Sequence, residues 1–458
     1  MKVLKFGGTS VGTVESLANV KNIVDSLDEP AVVVVSALGG LTDRLIATAN
    51  LAATNDPSYR DSMRQMSQRH QDIIDAVVPA ERRTDVRRNV SEYLSRLEDI
   101  YTGLSLIGML PDKVLNRIVS FGERMSSIIV AAMLRNASHA DPLDFMKTEK
   151  WFGKDIAARE LTDRLIRETF PLPLAKTIVT GGFISRDKNT GEITNLGRGG
   201  SDYTAALIAA ALDADSLEIW TDVDGFMTAD PRIIPEAIVI DQMSFVESME
   251  LCSFGAKVIY PPTIYPVYHK NIPIKILNTF HPQAPGTLIT DVATPHDSPV
   301  RGVSAVRNAA MITVTATQGG DLPDIRTRAF NAMSKHGVNV ILSTSYADKP
   351  YLSVVVAASE AKVADDALLY EFAPELSNGV VSEVVMVENL SVVAVVREAI
   401  NQLDRLAASL AETLVAQEID VKAASDGTSE TTLAFVVAED DTNRCIKVIH
   451  DHCYPLQS

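Results

Sequence analysis

The stretch Asn195-Leu196-Gly197-Arg198-Gly199-Gly200-Ser201-Asp202 decides how the rest of this sequence is interpreted. Its three glycines allow positive φ angles and let a ligand approach the main chain closely. Tyr203 to Leu212 follows directly and is rich in good helix formers. We expect Ser201 or Asp202 to cap this helix, so that loop amides and the positive helix end converge on one spot. The pattern predicts an anion-binding loop, and an ordinary capped glycine turn is the alternative.

Composition indicates a folded globular chain with a large core. Of its 458 residues, 46% are hydrophobic and 22% are charged. A chain of this length can form about two to four domains. The net charge of −17 argues against nucleic acid or an anionic membrane as the main partner. Its 3 cysteines lack motif spacing and argue against a disulfide framework or a zinc site. No signal peptide or long apolar run is evident, so we expect a cytoplasmic protein.

Two more loops rich in glycine and hydroxyl groups follow predicted strands near the N-terminus. Met1 to Phe6 predicts a buried strand with one polar residue, Lys5, and Gly7-Gly8-Thr9-Ser10 comes next. Such a lysine can reach a phosphate as a point charge, or it simply extends from the strand end to solvent. Ala31 to Val35 predicts a central parallel strand, and Ser36 to Thr42 opens a second helix. The spacings match neither a P-loop nor a dinucleotide fingerprint.

Strands and helices alternate as far as a last predicted strand at Ile272 to Asn278. This order predicts an α/β fold, with a mostly parallel sheet sandwiched between helices and ligands bound at the carboxyl ends of its strands. Residues 55–115 are predicted to be polar, arginine-rich helices, and we assign no chemistry to them. Ser120-Phe121-Gly122-Glu123-Arg124 lies within an otherwise apolar helix. There Glu123 either pairs with a neighbouring arginine or binds an ammonium group.

An internal repeat follows a proline-containing linker at residues 281–300. Met311 to Val314 corresponds to Val392 to Val395, and the same offset relates Leu352 to Leu433. The sequence pattern of each copy predicts the element order strand, helix, strand, strand, helix. The second copy has no obvious last strand, so we expect the copies to share or exchange edges. The tail is thus predicted to form two α+β modules, at residues 301–385 and 386–458, that pair with each other.

Several motifs occur in a fixed order along the chain. They are Lys5-Phe6-Gly7-Gly8-Thr9-Ser10, Phe121-Gly122-Glu123, Gly197-Arg198-Gly199-Gly200-Ser201-Asp202, Trp220-Thr221-Asp222, Asp230-Pro231-Arg232 and Phe254-Gly255-Ala256-Lys257. Together they resemble those of aspartokinases, within the amino acid kinase family, and the tail modules resemble ACT domains. The chain is similar to the kinase half of bifunctional aspartokinase–homoserine dehydrogenases. It ends before any dehydrogenase portion, so we expect that activity to be absent.

The resemblance implies a catalytic domain at residues 1–290 that transfers the γ-phosphoryl group of ATP to the β-carboxylate of L-aspartate. The product would be 4-phospho-L-aspartate, in the first step of lysine, threonine and methionine biosynthesis. A carboxylate is already deprotonated, so catalysis needs positioning and electrostatic stabilisation rather than a general base. Mg²⁺ is expected to be carried on the ATP phosphates, without a metal site of the protein's own.

The same resemblance implies roles for individual residues. Lys5 and Asp202 would be catalytic, with Asp202 orienting either Lys5 or the substrate amine. Arg198 would bind the α-carboxylate bidentately and Glu123 the α-ammonium. The substrate-binding set is Ser36, Thr42, Glu123, Arg198 and Ser201. The ATP-binding set is Lys5, Gly7, Gly8, Ser10, Thr221, Asp222, Arg232 and Lys257. Met227 occupies the position where relatives usually have tyrosine near the adenine, which leaves base stacking there open.

ACT-like modules imply an amino acid effector and a homodimer or larger homo-oligomer formed through them. We expect feedback inhibition by threonine or lysine around Asp321 and Asn339. Lysine-sensitive relatives tend to carry an aspartate at the position of Ile341. An isoleucine offers an ammonium group no partner, and an unpaired ammonium among apolar groups is costly. This favours threonine.

Two other functions stay open at this point. One is a kinase for another amino acid such as glutamate, against which the two-module tail and the combination of Glu123 with Arg198 argue. The other is a catalytically inactive amino acid sensor that has kept the fold. The presence of Lys5, Glu123, Arg198 and Asp202 together argues against the sensor.

Overall fold

The computed structural model describes residues 1–151, 153–291, 300–317, 322–345, 351–397, 403–426 and 431–455. It divides into two compact units. The first unit consists of Met1–Phe226, Val239–Phe245 and Val258–Ala293, and the second of Met227–Ile238, Val246–Lys257 and Thr294–Ser458.

Strands and helices alternate through the first part of the chain, as predicted. In chain order they are β1 (Lys2–Phe6), α1 (Val14–Asp25), β2 (Val32–Val35), α2 (Leu41–Ala53), α3 (Tyr59–Val77), α4 (Ala80–Ile107), α5 (Asp112–Met133), β3 (Ala137–Ala140), α6 (Pro142–Phe145), β4 (Lys147–Trp151), β5 (Lys154–Ala157), α7 (Arg159–Thr169), β6 (Thr177–Gly181), β7 (Ile184–Asp187), β8 (Ile193–Asn195), α8 (Gly200–Ala211), β9 (Ser216–Thr221), β10 (Gln242–Ser244), α9 (Phe245–Ser253), a 3₁₀ turn (Pro261–Thr263), α10 (Ile264–Tyr268), β11 (Ile274–Asn278) and β12 (Thr287–Thr290). No helix within the described ranges combines the length and apolarity that a membrane crossing requires.

The main sheet of the first unit has the strand order β10-β12-β11-β9-β1-β2-β6-β3. Neighbouring strands from β11 to β3 are all parallel, which confirms the predicted mostly parallel sheet. The exception is β12, which pairs antiparallel with β11. The sequence did not indicate β12, because a strand this short shows no clear periodicity.

The two faces of strand β1 differ in character, because one is apolar and packs in the core while the other carries a charged residue. Leu4 and Phe6 join a large apolar cluster with residues from α1 to α5. Side chains alternate between the faces of a strand, so Lys5 lies on the opposite face, where it contacts the first turn of α8. The strand thus places a single cation between an apolar core and a helix N-terminus.

A smaller sheet, of strand order β5-β4-β7-β8, delivers the stretch that begins at Asn195. Residues 188–192 join the antiparallel strands β7 and β8. Thr194 is buried, and its hydroxyl hydrogen bonds with those of Thr148 (2.6 Å) and Ser185 (2.9 Å). These bonds fix the end of β8, where the glycine-rich stretch starts.

The tail of the chain forms one antiparallel sheet with helices. Its elements are β13 (Val300–Ala316), α11 (Leu322–Lys335), β14 (Val340–Ser345), β15 (Tyr351–Ala357), α12 (Ala358–Glu371), α13 (Ala373–Asn378), β16 (Val381–Arg397), α14 (Leu403–Ala416), β17 (Ala423–Asp426), β18 (Thr432–Ala438), a 3₁₀ turn (Glu439–Asp441) and α15 (Thr442–Cys453). The strand order is β14-β15-β13-β16-β18-β17. The predicted repeat is therefore present, with β13 and β16 as equivalent strands paired side by side.

The two copies exchange strand halves, and in this way the second copy completes its sheet. Val300 and Val303, early in β13, pack in the core of the second copy, while Val381, early in β16, packs in that of the first. Each long strand changes partner module near an asparagine with positive φ, Asn308 (54°) or Asn389 (57°), a conformation that asparagine tolerates well. The boundary that we predicted between residues 385 and 386 therefore falls inside β16.

Two segments within the predicted catalytic range 1–290 belong instead to the second unit. Met227–Ile238 joins it through the hydrogen bond between Thr228 Oγ1 and His450 Nε2, 3.0 Å apart. The segment after Phe245 joins it through a buried ion pair of Glu247 with Arg301, whose Nε donates to Oε1 at 3.0 Å. Such contacts between positions far apart in the chain leave no local pattern in the sequence.

Candidate active site

A cavity of about 260 Å³ in the first unit brings together segments that are far apart in the sequence. Its lining residues are Lys5, Ser36, Thr42, Glu123, Phe183, Gly197, Arg198, Gly199, Gly200, Ser201 and Asp202. Every residue that the sequence analysis assigned to catalysis or to substrate binding is among them. The geometry therefore supports a common site for these side chains.

The glycine-rich stretch forms the N-terminal approach to α8, but its cap differs from the prediction. Gly199 occupies the N-cap position with φ of 66°, and the helix has no side-chain cap. A Cβ on Gly199 would lie 2.1 Å from Cβ of Tyr260, so only glycine fits there. The prediction that Ser201 or Asp202 caps the helix is thus wrong. Both residues lie in the first helical turn, where a carboxylate is stabilised by the helix dipole.

Lys5 and Asp202 form an ion pair at the floor of the cavity. Lys5 Nζ lies 2.5 Å from Asp202 Oδ1, and the two residues are only 9% and 8% exposed. The carboxylate compensates the lysine charge and fixes its direction. Removal of one partner from a buried pair leaves the other charge uncompensated.

Glu123 is a buried carboxylate with one oxygen free. Its Oε1 accepts a hydrogen bond from Ala37 N–H at 3.3 Å, while its Oε2 is buried and has no partner within the described ranges. Gly122 allows α5 to come close enough to Ala37 for this bond, since a Cβ on Gly122 would lie 2.8 Å from Cβ of Ala37. Burial raises the pKa of Glu123 to about 8. Burial thus makes the ionised form of Glu123 unfavourable, and a positively charged ligand would stabilise that form by pairing with it.

The alternative of an ion pair between Glu123 and its neighbour Arg124 is not what the structure has. Arg124 Nη2 donates to Asp141 at 2.9 Å, and the guanidinium lies over the ring of Tyr93, 4.5 Å from its centroid. Arg198, in contrast, is exposed and makes no ion pair or hydrogen bond in the described part of the chain. Within the described residues, the cavity therefore offers a buried carboxyl group with an unpaired oxygen and a guanidinium free to bind a ligand.

Phe183 also lines the cavity, and it is absent from the residues predicted from the sequence. It has φ of 67°, which is uncommon for a bulky residue and often marks a functional site. Thr204 holds it there, because its hydroxyl accepts from Phe183 N–H (3.1 Å) and donates to Gly200 O (2.8 Å). The signal in the sequence is its position directly after Gly181-Gly182, at the end of the strand β6.

The predicted nucleotide residues of the first unit lie at the ends of two adjacent strands. Gly7, after β1, donates its N–H to Trp220 O in β9 at 3.1 Å, and Thr221 Oγ1 donates to Asp222 at 3.2 Å. Gly8 follows in the same loop. The hydroxyl of Ser10 is buried, 2.7 Å from Thr279 Oγ1, so in this structure it holds the loop in place.

The remaining predicted nucleotide residues lie in the second unit. Arg232 is exposed, and its Nη2 lies 2.6 Å from Asp230 Oδ2, a bond that lowers the pKa of that carboxyl. Lys257 is exposed. Met227 is half-buried and packs against the apolar cluster of the second ACT-like copy. Their roles toward ATP stay predictions.

Of the two predicted effector residues, only one is described. Asn339 is exposed, and its main-chain N–H donates to Glu360 Oε2 at 3.0 Å. Asp321 lies outside the described residues. Ile341 is partly buried in an apolar cluster with Leu342 and Val355. Within the described ranges, no group of three or more His, Cys, Asp or Glu is arranged to hold a metal ion.

Comparison with known proteins places these features in a family. The model of the amino acid kinase family matches residues 1–278, and that of an ACT domain matches residues 393–453. The chain is 31% identical to the bifunctional aspartokinase/homoserine dehydrogenase of Haemophilus influenzae, over 98% of this chain and 56% of that protein. It is 28% identical to aspartokinase 1, chloroplastic, of Arabidopsis thaliana, over 98% of this chain and 79% of that protein. The chain spans about half the length of the first curated relatives it matches.

Solved structures show the same likeness over the whole chain. E. coli aspartokinase III in complex with aspartate and ADP, in the R-state, matches with a TM-score of 0.83 and 27% identity, covering 99% of this chain and 100% of that one. The T-state of that enzyme, in complex with lysine and aspartate, matches with a TM-score of 0.74 and 26% identity, covering 99% of each chain.

Proposed function

The chain belongs to the amino acid kinase family, and on that premise we propose that it is an aspartokinase, which transfers the γ-phosphoryl group of ATP to the β-carboxylate of L-aspartate. The proposal is carried by the cavity that holds both a buried carboxylate oxygen and a guanidinium available for binding. An α-amino acid presents the complementary pair of charges. The similarity to aspartokinases along nearly the whole chain supports aspartate among the amino acids.

Glu123 and Arg198 hold the backbone groups of the substrate. Glu123 binds the α-ammonium through its free oxygen, and Arg198 forms two parallel hydrogen bonds with the α-carboxylate. The hydroxyls of Ser36, Thr42 and Ser201 surround the reacting end. This division leaves the β-carboxylate as the group presented for phosphorylation.

Lys5 stabilises the phosphoryl group as it moves. A cation fixed in a buried site needs little reorganisation when charge develops on the phosphoryl oxygens. Asp202 keeps Lys5 in position through their contact. The proposed ATP-binding set is Lys5, Gly7, Gly8, Ser10, Thr221, Asp222, Arg232 and Lys257. Mg²⁺, when bound, would be carried on the ATP phosphates and would neutralise part of their charge.

The activity is tested by measuring ADP release with ATP, Mg²⁺ and either L-aspartate, L-glutamate or no amino acid. Trapping with hydroxylamine identifies the acyl phosphate product. We expect turnover with aspartate alone. Equal turnover with glutamate would indicate a kinase of different specificity, and no turnover with any amino acid would overturn the proposal in favour of a sensor.

Arg198→Lys is expected to raise KM for aspartate by about 10-fold or more, while KM for ATP changes little. An ammonium group cannot reproduce the two-pronged contact of a guanidinium with a carboxylate. Initial rates at varied aspartate and saturating ATP measure this. Arg186→Lys, in the neighbouring strand β7, is the matched control and should leave both KM values unchanged. A KM for aspartate within two-fold of wild type would show that Arg198 is structural.

The effector is proposed to be an amino acid bound at the ACT-like modules, with threonine preferred over lysine. Ile341 lies among apolar side chains and offers a lysine ammonium no partner. By resemblance to other chains with ACT domains, we also propose assembly into a homodimer or larger homo-oligomer through these modules.

Titration with threonine is expected to inhibit the wild-type enzyme, with a coupling of about 1–3 kcal/mol between effector and substrate binding. Asn339→Ala should shift the threonine concentration for half inhibition upward and leave the uninhibited rate unchanged. Lysine is titrated in parallel. Inhibition by lysine alone would contradict the preference, and no response to either amino acid would contradict regulation by these two effectors.

A further inference from the structure

Two asparagine side chains tie the glycine-rich stretch to the helix that carries Glu123. Asn195 Nδ2 donates to Asn116 Oδ1 at 2.7 Å, and Asn195 Oδ1 accepts from Gly197 N–H at 3.0 Å. Both asparagines are half-buried. One amide therefore organises the start of the loop with its oxygen and attaches that loop to α5 with its nitrogen.

The attachment point bears a fixed relation to the substrate groups. Asn116 and Glu123 lie two turns apart on α5, about 10 Å along the axis and on the same face. Asn195 precedes Arg198 by three residues. The helix is rigid, whereas a loop with three glycines is not. The contact between the two amides is therefore a side-chain restraint that links the loop carrying Arg198 to the helix carrying Glu123.

We propose that Asn116 and Asn195 are positioning residues that set the separation between Arg198 and Glu123, and with it the fit of the amino acid substrate. The proposal rests on the proposed function, in which these two charged groups hold the two ends of one substrate. Neither asparagine lines the cavity. They act through the loop and the helix, and neither belongs to the predicted ATP-binding set.

The chain provides a matched control for this contact. Lys113, one turn before Asn116 on α5, forms an exposed ion pair with Glu192, just before β8, at 2.7 Å. It joins the same helix to the same hairpin. An exposed ion pair contributes little, so Lys113→Ala reports the effect of losing a nearby contact without losing the amide bridge.

The decisive comparison is between Asn116→Ala and Asn116→Asp. Asn116→Ala removes the bridge and should raise KM for aspartate about three- to ten-fold, the range that corresponds to one net hydrogen bond, with KM for ATP within two-fold of wild type. Asn116→Asp still accepts from Asn195 Nδ2 and should restore most of the affinity, although its added negative charge disfavours an anionic substrate. Lys113→Ala should match wild type. If Asn116→Asp is as impaired as Asn116→Ala, or if Asn116→Ala is unchanged, the proposal is overturned.

A second measurement does not depend on activity. Hydrogen exchange of the peptide containing Gly197 should be faster in Asn116→Ala than in wild type, and faster still in Asn195→Ala, which also loses the acceptor for Gly197 N–H. Unchanged exchange in Asn116→Ala would overturn the positioning role. A wild-type protein without aspartate turnover would instead overturn the proposed function, so the two failures are distinguishable.

Discussion

Lys5→Ala is expected to lower kcat for phosphoryl transfer by about 10²–10³-fold, which is the typical cost of losing one preorganised group that stabilises the transition state. The lysine is buried at the end of β1 and held by Asp202, so water cannot replace it with equal precision. Its charge matters most as the phosphoryl group moves. Aspartate affinity, measured by calorimetry without ATP, should change little because Glu123 and Arg198 hold the substrate.

Two controls separate catalysis from folding in this variant. Lys2→Ala removes another lysine of β1, whose Nζ lies 2.9 Å from Glu218 Oε1, and should keep a kcat close to that of wild type. Lys5→Ala leaves Asp202 as an unpaired buried charge, which is destabilising. Lys5→Ala/Asp202→Asn should therefore recover thermal stability without recovering kcat. Near-normal turnover in Lys5→Ala would refute the assigned role.

The sequence was sufficient for those site residues that differ sharply in polarity from their immediate neighbours in the chain. Lys5 could be identified because a charged residue inside an apolar strand is a local anomaly, and parallel strands present their carboxyl ends at one edge. Glu123 stood out in the same way within an apolar helix. For both, the unusual feature lies within a few residues of the chain.

Features that depend on contacts between distant segments could not be predicted. The choice of Gly199 as N-cap follows from its packing against Tyr260, and the conformation of Phe183 depends on Thr204. The bridge between Asn195 and Asn116 joins residues that have no pattern in common. The sequence indicated the exchange of strand halves between β13 and β16 only through the lack of an obvious last strand in the second copy. The pairing partners themselves are set by the three-dimensional fold.

Glu123→Gln is expected to raise KM for aspartate by about 10²-fold, since truncating one partner of a buried charge pair costs about 2–5 kcal/mol. The carboxylate oxygen that faces the substrate is buried and has no other partner within the described ranges. An amide in its place cannot balance the ammonium charge. Glu98→Gln, on the exposed surface of α4, is the matched control and should leave KM unchanged.

The same residue predicts a specific pH dependence. Burial raises the pKa of Glu123 to about 8, and the ammonium of aspartate pairs with the ionised form. KM for aspartate in the wild type should therefore fall by up to about tenfold per pH unit as pH rises towards 8 and level off above it. Glu123→Gln should lose this dependence, whereas Glu98→Gln should retain it. A wild-type KM that is flat between pH 6.5 and 8.5 would contradict the pairing.

The stability of the unliganded protein should change in the opposite sense. The pKa of Glu123 is higher in the folded chain than its ordinary value of 4.5, so the folded state binds more protons and loses stability as pH rises from 4.5 through 8. Glu123→Gln has no such cost, and at pH 8 it should melt at least about 2–4 °C above wild type. Saturating aspartate should stabilise only the wild type strongly. A variant that is both less stable and unable to bind would show that Glu123 serves the fold rather than the substrate.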